Sequence, residues 1–253
     1  VSDVPLRTIR LLVEFDGTHF HGWQQQLNAR SVQLVLRQAL HKMLGHDPIQ
    51  LRASSRTDAG VHAVALPVSF RTASTIPTFG FLRGLNTILP ADVSIADVRV
   101  MGDGFNPRRA SKGKRYRYDI WDAPCRSALR SRRSWWVKGR PLDIEAMRIG
   151  AHYLVGEHDF TSFRAVDCDS KTTRRKLNRV DVDTEDPYLV RITVDGDAFL
   201  KHMVRVIVGT LVDVGRGRTT PDGIAEILAA RDRRAAGQTA PPQGLTLMQV
   251  FYD

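Results

Sequence analysis

In the segment Ser54-Ser55-Arg56-Thr57-Asp58-Ala59-Gly60-Val61-His62-Ala63, a guanidinium, a hydroxyl and a carboxylate precede a small Ala-Gly pair. A carboxylate just before two small residues can stand on a sharp turn whose backbone a large substrate can approach. Such a group can attack an electrophilic carbon or take a proton. The competing reading is structural, because an Asp two residues before a Gly is commonly a turn former that bonds its own backbone. Two further positions have chemistry of interest. Tyr116 sits among cations in Lys114-Arg115-Tyr116-Arg117-Tyr118, where a ring can stack on a base or half-fill a core. Arg205 shares a helical face with Val208, Gly209 and Val212, at i+3, i+4 and i+7. A guanidinium there needs a carboxylate partner, unless it snorkels to the surface.

The elements that must position these groups follow from periodicity. Ile9, Leu11, Val13 and Phe15 alternate with Arg10, Leu12 and Glu14, which predicts a strand over residues 8–15 ending in an Asp16-Gly17 turn. The loop His19-Phe20-His21-Gly22-Trp23-Gln24-Gln25-Gln26 offers amides and an indole for bases or sugars, although Trp23 is more often core. Ser31 opens a helix that Gly45 stops, with Val32, Val35, Leu36, Ala39, Leu40, Met43 and Leu44 at three- and four-residue steps. Strands are expected over residues 49–53 and 64–70 on either side of the Asp58 motif, Pro67 marking an edge or a bulge. A helix over 78–88 and a strand over 93–100 complete this part. Farther on, Asp143 caps a helix reaching residue 154, strands cover 177–182 and 188–194, and helices cover 200–214 and 221–231. Thr220 is the expected cap of the last helix with Pro221 at its first position. A strand over 245–252 closes the chain. Strand, helix, strand, strand, helix, strand in the first hundred residues implies an α+β unit with helices on one face of an antiparallel sheet. The Gly-, Asn- and Pro-containing stretch at 102–107 is the expected boundary between two such domains, 1–106 and 107–253, meeting at a central basic cleft.

Composition narrows the function. At 253 residues the chain can bury a sizeable core, and 42% hydrophobic with 25% charged residues argues against disorder. Thirty-seven Lys and Arg against 27 acids leave a formal charge of +10, which favours a polyanionic partner, nucleic acid first. The cations cluster: residues 108–118 interleave basic side chains with Tyr116 and Tyr118, and residues 126–140 surround Trp135-Trp136 with more. A charge run can be only a solvated face, but cations interleaved with aromatics are the commoner footprint of a groove that holds phosphates and stacks bases. Cys125 and Cys168 lie far apart and fit a reduced compartment. The opening Val1-Ser2-Asp3-Val4-Pro5 has no targeting pattern, and the longest apolar run is broken by Arg205 and Asp213. The histidines show no zinc spacing and no dinucleotide fingerprint is present, so no metal, no nucleotide cofactor and no membrane association are expected.

Arg56-Thr57-Asp58-Ala59-Gly60-Val61-His62-Ala63 resembles the catalytic motif of the TruA family of tRNA pseudouridine synthases. The resemblance extends over most of the chain. Phe15-Asp16-Gly17 leading to Gly22-Trp23-Gln24 is similar to the family's opening, and Gly156-Glu157-His158-Asp159-Phe160-Thr161-Ser162-Phe163 to one of its turns. Arg115-Tyr116-Arg117-Tyr118 matches the family's Arg-Tyr-x-Tyr, and residues 202–209 look like its third motif. The resemblance implies that Asp58 is the catalytic carboxylate, as nucleophile at C1′ or as base on the ribose. It implies that Tyr116 packs on the active-site base, that Arg205 pairs with Asp58, and that Arg56 fills the place of a flipped nucleotide. Arg108, Lys112, Lys114 and Arg115 are the expected RNA-binding residues. The implied activity is isomerisation of uridine to pseudouridine at positions 38 to 40 of the tRNA anticodon stem-loop, by a cytoplasmic homodimer. A non-catalytic tRNA-binding protein or RNA chaperone is the alternative use of the same cleft. Two departures stand out: Ser55 where bacterial members usually carry Gly, and Asn106-Pro107 where His-Ala is usual.

Overall fold

The computed structural model describes residues 5–252; residues 1–4, read above as lacking a targeting pattern, and Asp253 lie outside the described residues. Contacts divide the chain into one unit running to Lys112 and resuming at Leu247, and a second unit of Gly113–Thr246.

The first unit contains β1 (Arg7–Phe15), α1 (Val32–Leu44), β2 (Ile49–Ala53), β3 (His62–Thr72), α2 (Thr78–Ile88) and β4 (Val93–Met101). Its strands run in the order β4, β1, β3, all antiparallel, with β2 beside β3. The register explains the alternation in the sequence. Ile9 faces Phe70, Leu11 faces Val68 and Val13 faces Leu66, and all six are buried on one face. The other face carries Thr8 opposite Arg71 and Arg10 opposite Ser69. Helix α1 adds Val32, Leu36 and Leu40 to the core, and α2 sets Phe81 edge-on to Phe70 with centroids 5.6 Å apart. Both helix ends of α1 follow from residue type. Ser31 Oγ accepts from Leu34 N–H at 3.4 Å, and Gly45 ends the helix in the left-handed region at φ 80°.

Pro67 lies neither on an edge strand nor in a bulge, as its type had suggested. It pairs with Leu12 inside β3, and its carbonyl accepts from Ser54 N–H at 2.9 Å, just where β2 has ended. A strand residue's N and C=O point to the same side, so the ring nitrogen of Pro67 faces the chain just past the end of β2, where the regular pairing has stopped.

The second unit contains β5 (Gly113–Trp121), β6 (Trp135–Trp136), α3 (Ile144–His152), β7 (Gly156–Asp159), β8 (Arg174–Asp186), β9 (Leu189–Gly196), α4 (Met203–Gly215) and α5 (Gly223–Ala230). The strand order is β5, β9, β8, β7, antiparallel throughout, and β6 adds a short parallel pairing to β5. Tyr116, Tyr118 and Ile120 pair with Val194, Ile192 and Val190, making one buried face. The opposite face is laced with ion pairs: Arg115 to Asp195, and Arg117 and Arg191 to Asp119. Asp143 caps α3 by accepting from Ala146 N–H at 2.9 Å. Two helix starts differ from expectation. His202 holds φ 62° and cannot continue a helix, so α4 begins at Met203 rather than Leu200. Helix α5 begins at Gly223 behind Asp222, because Thr220 and Pro221 close turns through their carbonyls to Gly223 and Ile224 rather than entering the helix.

A last strand, β10 (Leu245–Phe251), returns to the first unit from Leu247 on and lies beside β3 there. The α+β class with mainly antiparallel sheets expected from the pattern is what the chain forms. Among the described residues no helix is long and apolar enough to cross a membrane.

Candidate active site

Asp58 stands on the loop between β2 and β3, half-buried, with Thr57 buried before it. The loop is held by the segment that follows β1. Trp23 N–H donates to the Thr57 carbonyl at 3.1 Å and Gly60 N–H to the Phe20 carbonyl at 3.1 Å. Gly17 N–H donates to His62 Nδ1 at 3.0 Å, and that ring is 1% exposed. Backbone packs on backbone here: an added Cβ would lie 2.0 Å from the Val61 carbonyl oxygen at Gly17, and 2.5 Å from the Thr57 carbonyl oxygen at Gly22, which has φ 84°. At Gly22 only glycine fits both the backbone angle and the space. Within the loop, Val61 N–H donates to the Asp58 carbonyl at 3.2 Å. The two glycines and the aromatic pair that the sequence places at residues 17–23 are thus the clamp of the carboxylate loop. Trp23 is 3% exposed and belongs to the core, whereas Gln24, Gln25 and Gln26 are exposed.

The clamp segment is itself anchored. Arg30 stacks over Phe20 at 4.0 Å and makes a two-point bridge to Asp92 at 2.7 and 2.9 Å. That pairing holds the Arg30 guanidinium pKa above its ordinary value, outweighing burial. Arg56, two residues before Asp58, is exposed. Among the described residues it makes no ion pair. Arg108 and Lys112 are also exposed in this unit.

In the second unit, Tyr116 is 7% exposed on β5 and packs edge-on against Phe199, with centroids 5.1 Å apart and planes at 82°. Arg205 is half-buried on α4, a helix buried on nearly every side. Its Nε donates to the Ala240 carbonyl at 2.7 Å, and Ala240 N–H donates back to the Arg205 carbonyl at 3.0 Å. The segment around Ala240 can lie so close because Gly209 has no side chain: a Cβ there would stand 1.8 Å from the Gln238 carbonyl oxygen. One residue farther, the Pro241 carbonyl accepts from the Tyr118 hydroxyl at 2.7 Å. Burial pushes the Tyr118 phenol far above its ordinary pKa, an effect partly offset by the nearby positive charge of Arg205. Residues 238–241 therefore form a strap that fixes Arg205 on one side and Tyr118 on the other.

Lys114 is half-buried, and Arg115 makes a two-point bridge to Asp195 at 2.8 and 2.7 Å, which holds its pKa above the ordinary value. The basic stretch around residues 126–140 also has internal partners. Arg130 lies over Trp121 at 5.0 Å and pairs with Asp186, and Lys138 lies over Trp136 at 4.9 Å. Arg126, Arg132, Arg133 and Arg140 remain exposed. Two parts of these sites carried no signal in the sequence reading. Phe199 is a lone aromatic in a loop, and the strap, Gln238-Thr239-Ala240-Pro241, has no periodicity to read.

These geometries hold a carboxylate, a tyrosine and an arginine in fixed settings, as expected of an enzyme. The sequence pattern of the family described as tRNA pseudouridine synthase matches residues 11–105 and 151–253. Proteins named tRNA pseudouridine synthase A from Geotalea uraniireducens and Pelobacter propionicus are 47% and 48% identical over 247 residues, covering 98% of this chain and 100% of theirs. One of the same name from Myxococcus xanthus is 45% identical over 244 residues, 96% of this chain and 91% of its own. The chain belongs to the tRNA pseudouridine synthase family. Asp58 and Arg205 lie within the matched stretches; Tyr116 falls between them. Among solved structures, a Cbf5-Nop10-Gar1 complex aligns at 11% identity with a TM-score of 0.39, and this chain spans 57% of that one. So low a score adds no argument.

Proposed function

We propose that this chain converts uridine to pseudouridine in the anticodon stem-loop of tRNA, at positions 38 to 40. The observation that carries the reading is the Asp58 loop. The full family motif is present, and a glycine-based backbone clamp keeps its carboxylate in a fixed, half-buried place. A protein that only bound tRNA would need cations but not a clamped carboxylate.

The reaction breaks the C1′–N1 bond, turns the uracil and rejoins it through C5; the C5 proton is lost and N1 gains one, so atoms balance without an oxidant. Asp58 serves this as nucleophile at C1′ or as base on the ribose. Tyr116 packs on the base in the site, with Phe199 bracing its ring. Arg205 supplies the cation for the carboxylate, and the bond from its Nε to the Ala240 carbonyl fixes the plane of its guanidinium. Arg56, exposed and without an ion pair among the described residues, takes the place of the flipped nucleotide. Arg108, Lys112 and Lys114 contact phosphates. Arg115 shares that task with its bridge to Asp195. The protein acts as a cytoplasmic homodimer, consistent with unpaired cysteines among the described residues.

Pseudouridine mapping of tRNA incubated with the purified protein tests the reading. The expected result is modification confined to positions 38 to 40; tRNA bound but left unmodified would sink it in favour of a pure binder.

A further inference from the structure

The open face of the first unit's sheet holds a polar cleft of about 380 Å³ that the chemistry at Asp58 does not use. Register explains its contents. Thr8 on β1 stands opposite Arg71 on β3, and a shift in β2 between Ile49 and Arg52 brings Arg52 opposite Ser69. Gln50 takes φ 57° within that shift. Thr8, Arg71 and Arg52 therefore line the same cleft from three adjacent strands.

Its polar groups are incompletely matched within the protein. Thr8 is 3% exposed, and among the described residues its buried Oγ1 has no hydrogen-bond partner, nor has the buried Nε of Arg71. Among the described residues the ion-pair partner of Arg71 is Asp103, at 3.6 Å and with an 85% exposed side chain, and Arg52 has no ion pair. By contrast, Arg10 on the same sheet face is bridged to Asp97 at 2.7 Å. A buried donor left unmatched is costly, and a guanidinium pair with an adjacent hydroxyl is a donor set suited to an oxyanion.

Resting on the tRNA reading above, we infer that this cleft is a phosphate subsite for the RNA backbone. The ligand is a phosphodiester of the bound tRNA, received by Arg52, Arg71 and the Thr8 hydroxyl. Arg52 precedes Asp58 by six residues, so along the chain they are at most about 20 Å apart. An RNA with one nucleotide at Asp58 has backbone phosphates within that distance. Asp103, the acid at the rim, opposes the phosphate and gives up Arg71 when it binds.

The test measures tRNA affinity against salt for the full chain. Arg52→Gln changes an exposed residue and should take about one unit from the log–log slope while weakening binding and raising KM. Arg71→Gln should do the same, Thr8→Val should weaken binding with little change in slope, and Asp103→Asn should tighten it. If Arg71→Gln fails to fold, Arg52→Gln decides alone. Unchanged slope and affinity in Arg52→Gln overturns the subsite. So does thermal stabilisation by inorganic phosphate that Arg52→Gln abolishes while its tRNA slope stays that of the parent, since the cleft would then hold a free anion. Pseudouridine formation by the unmodified protein is scored in parallel. Its absence would defeat the isomerase reading, whereas an active protein with an unaltered Arg52→Gln slope defeats only the subsite.

Discussion

The Cα of Gly22 rests on the carbonyl oxygen of Thr57, the residue immediately before Asp58, so that a methyl group there would stand 2.5 Å from that oxygen. The loop bearing the carboxylate is thus positioned by backbone packed on backbone, with Trp23 N–H bonded to the same carbonyl. Main-chain contacts of this kind hold a group more firmly than a long side chain would.

Gly22→Ala should therefore damage catalysis as well as folding. The left-handed angle alone costs about 1–2 kcal/mol, and the Thr57 carbonyl must also move. A displacement near 1 Å at a reacting group costs on the order of 100-fold in rate. Gly45→Ala is the control, since Gly45 has a similar angle at the end of α1 but open space around its Cα. The control should lose stability and keep its turnover once folded. Urea denaturation and single-turnover rates separate the two; equal rate losses would mean that the clamp does not position Asp58.

Asp58→Asn should bind tRNA nearly as well as the parent protein and form no detectable pseudouridine. In the proposed mechanism one carboxylate performs the chemistry, while affinity comes from many cations on phosphate. Measuring Kd and product in the same samples checks both halves. Substantial turnover by the variant would remove Asp58 from its assigned role.

Arg205→Lys keeps the charge but loses the planar fork, of which Nε is already bound to the Ala240 carbonyl at 2.7 Å. A lysine ammonium can take up this bond or serve the proposed carboxylate partner, but not both. The variant should fold, because Ala240 N–H still bonds the backbone carbonyl of residue 205, and should lose about 100-fold or more in kcat. Arg205→Met should lose at least as much and be destabilised by about 1–3 kcal/mol through the Ala240 carbonyl left without its side-chain donor. Full activity in Arg205→Lys would show that only its charge matters.

How much of this was legible in the sequence depended on whether the cause was local. Ser31 and Gly45 bound α1 because a side-chain cap and a left-handed glycine act within one turn of chain. The alternation of Ile9, Leu11, Val13 and Phe15 exposed the core face of β1 for the same reason. The Asp58 motif was readable because its groups are contiguous. Its clamp was not, since Gly22 and Thr57 are brought together by the fold of two loops. Arg205 illustrates the limit most plainly. The periodic pattern placed it on an apolar face, but α4 is buried nearly all round, so the pattern could not say which neighbour receives the guanidinium. The strap at residues 238–241 has no periodicity, and its carbonyls are groups that every residue has. Thr220 and Pro221 misled because Thr-Pro also suits the turn before a helix, which is where they lie.

Alkaline stability should report the other side of that strap. Tyr118 has no exposure, donates to the Pro241 carbonyl at 2.7 Å, and has its phenol raised far above the ordinary value near 10, chiefly by burial. In the unfolded chain the phenol ionises near pH 10, whereas in the folded chain it keeps its proton well beyond that. Above pH 10 the unfolded state therefore binds fewer protons than the folded state, and stability falls as pH rises. One such phenol removes about 1.4 kcal/mol for each pH unit past its unfolded pKa. Tyr252, whose phenol burial pushes up to about 12, adds a smaller fall in the same direction. Tyr118→Phe should be less stable than the parent at pH 8 by about 1–3 kcal/mol, because the Pro241 carbonyl loses its donor. Its alkaline limb should be shallower, so that the two stability curves approach each other between pH 10 and 11. Urea midpoints at pH 8, 10 and 11 measure this directly. Parallel curves would mean that Tyr118 ionises as readily in the folded protein as in the unfolded chain, and that its contact with the strap is not maintained in solution.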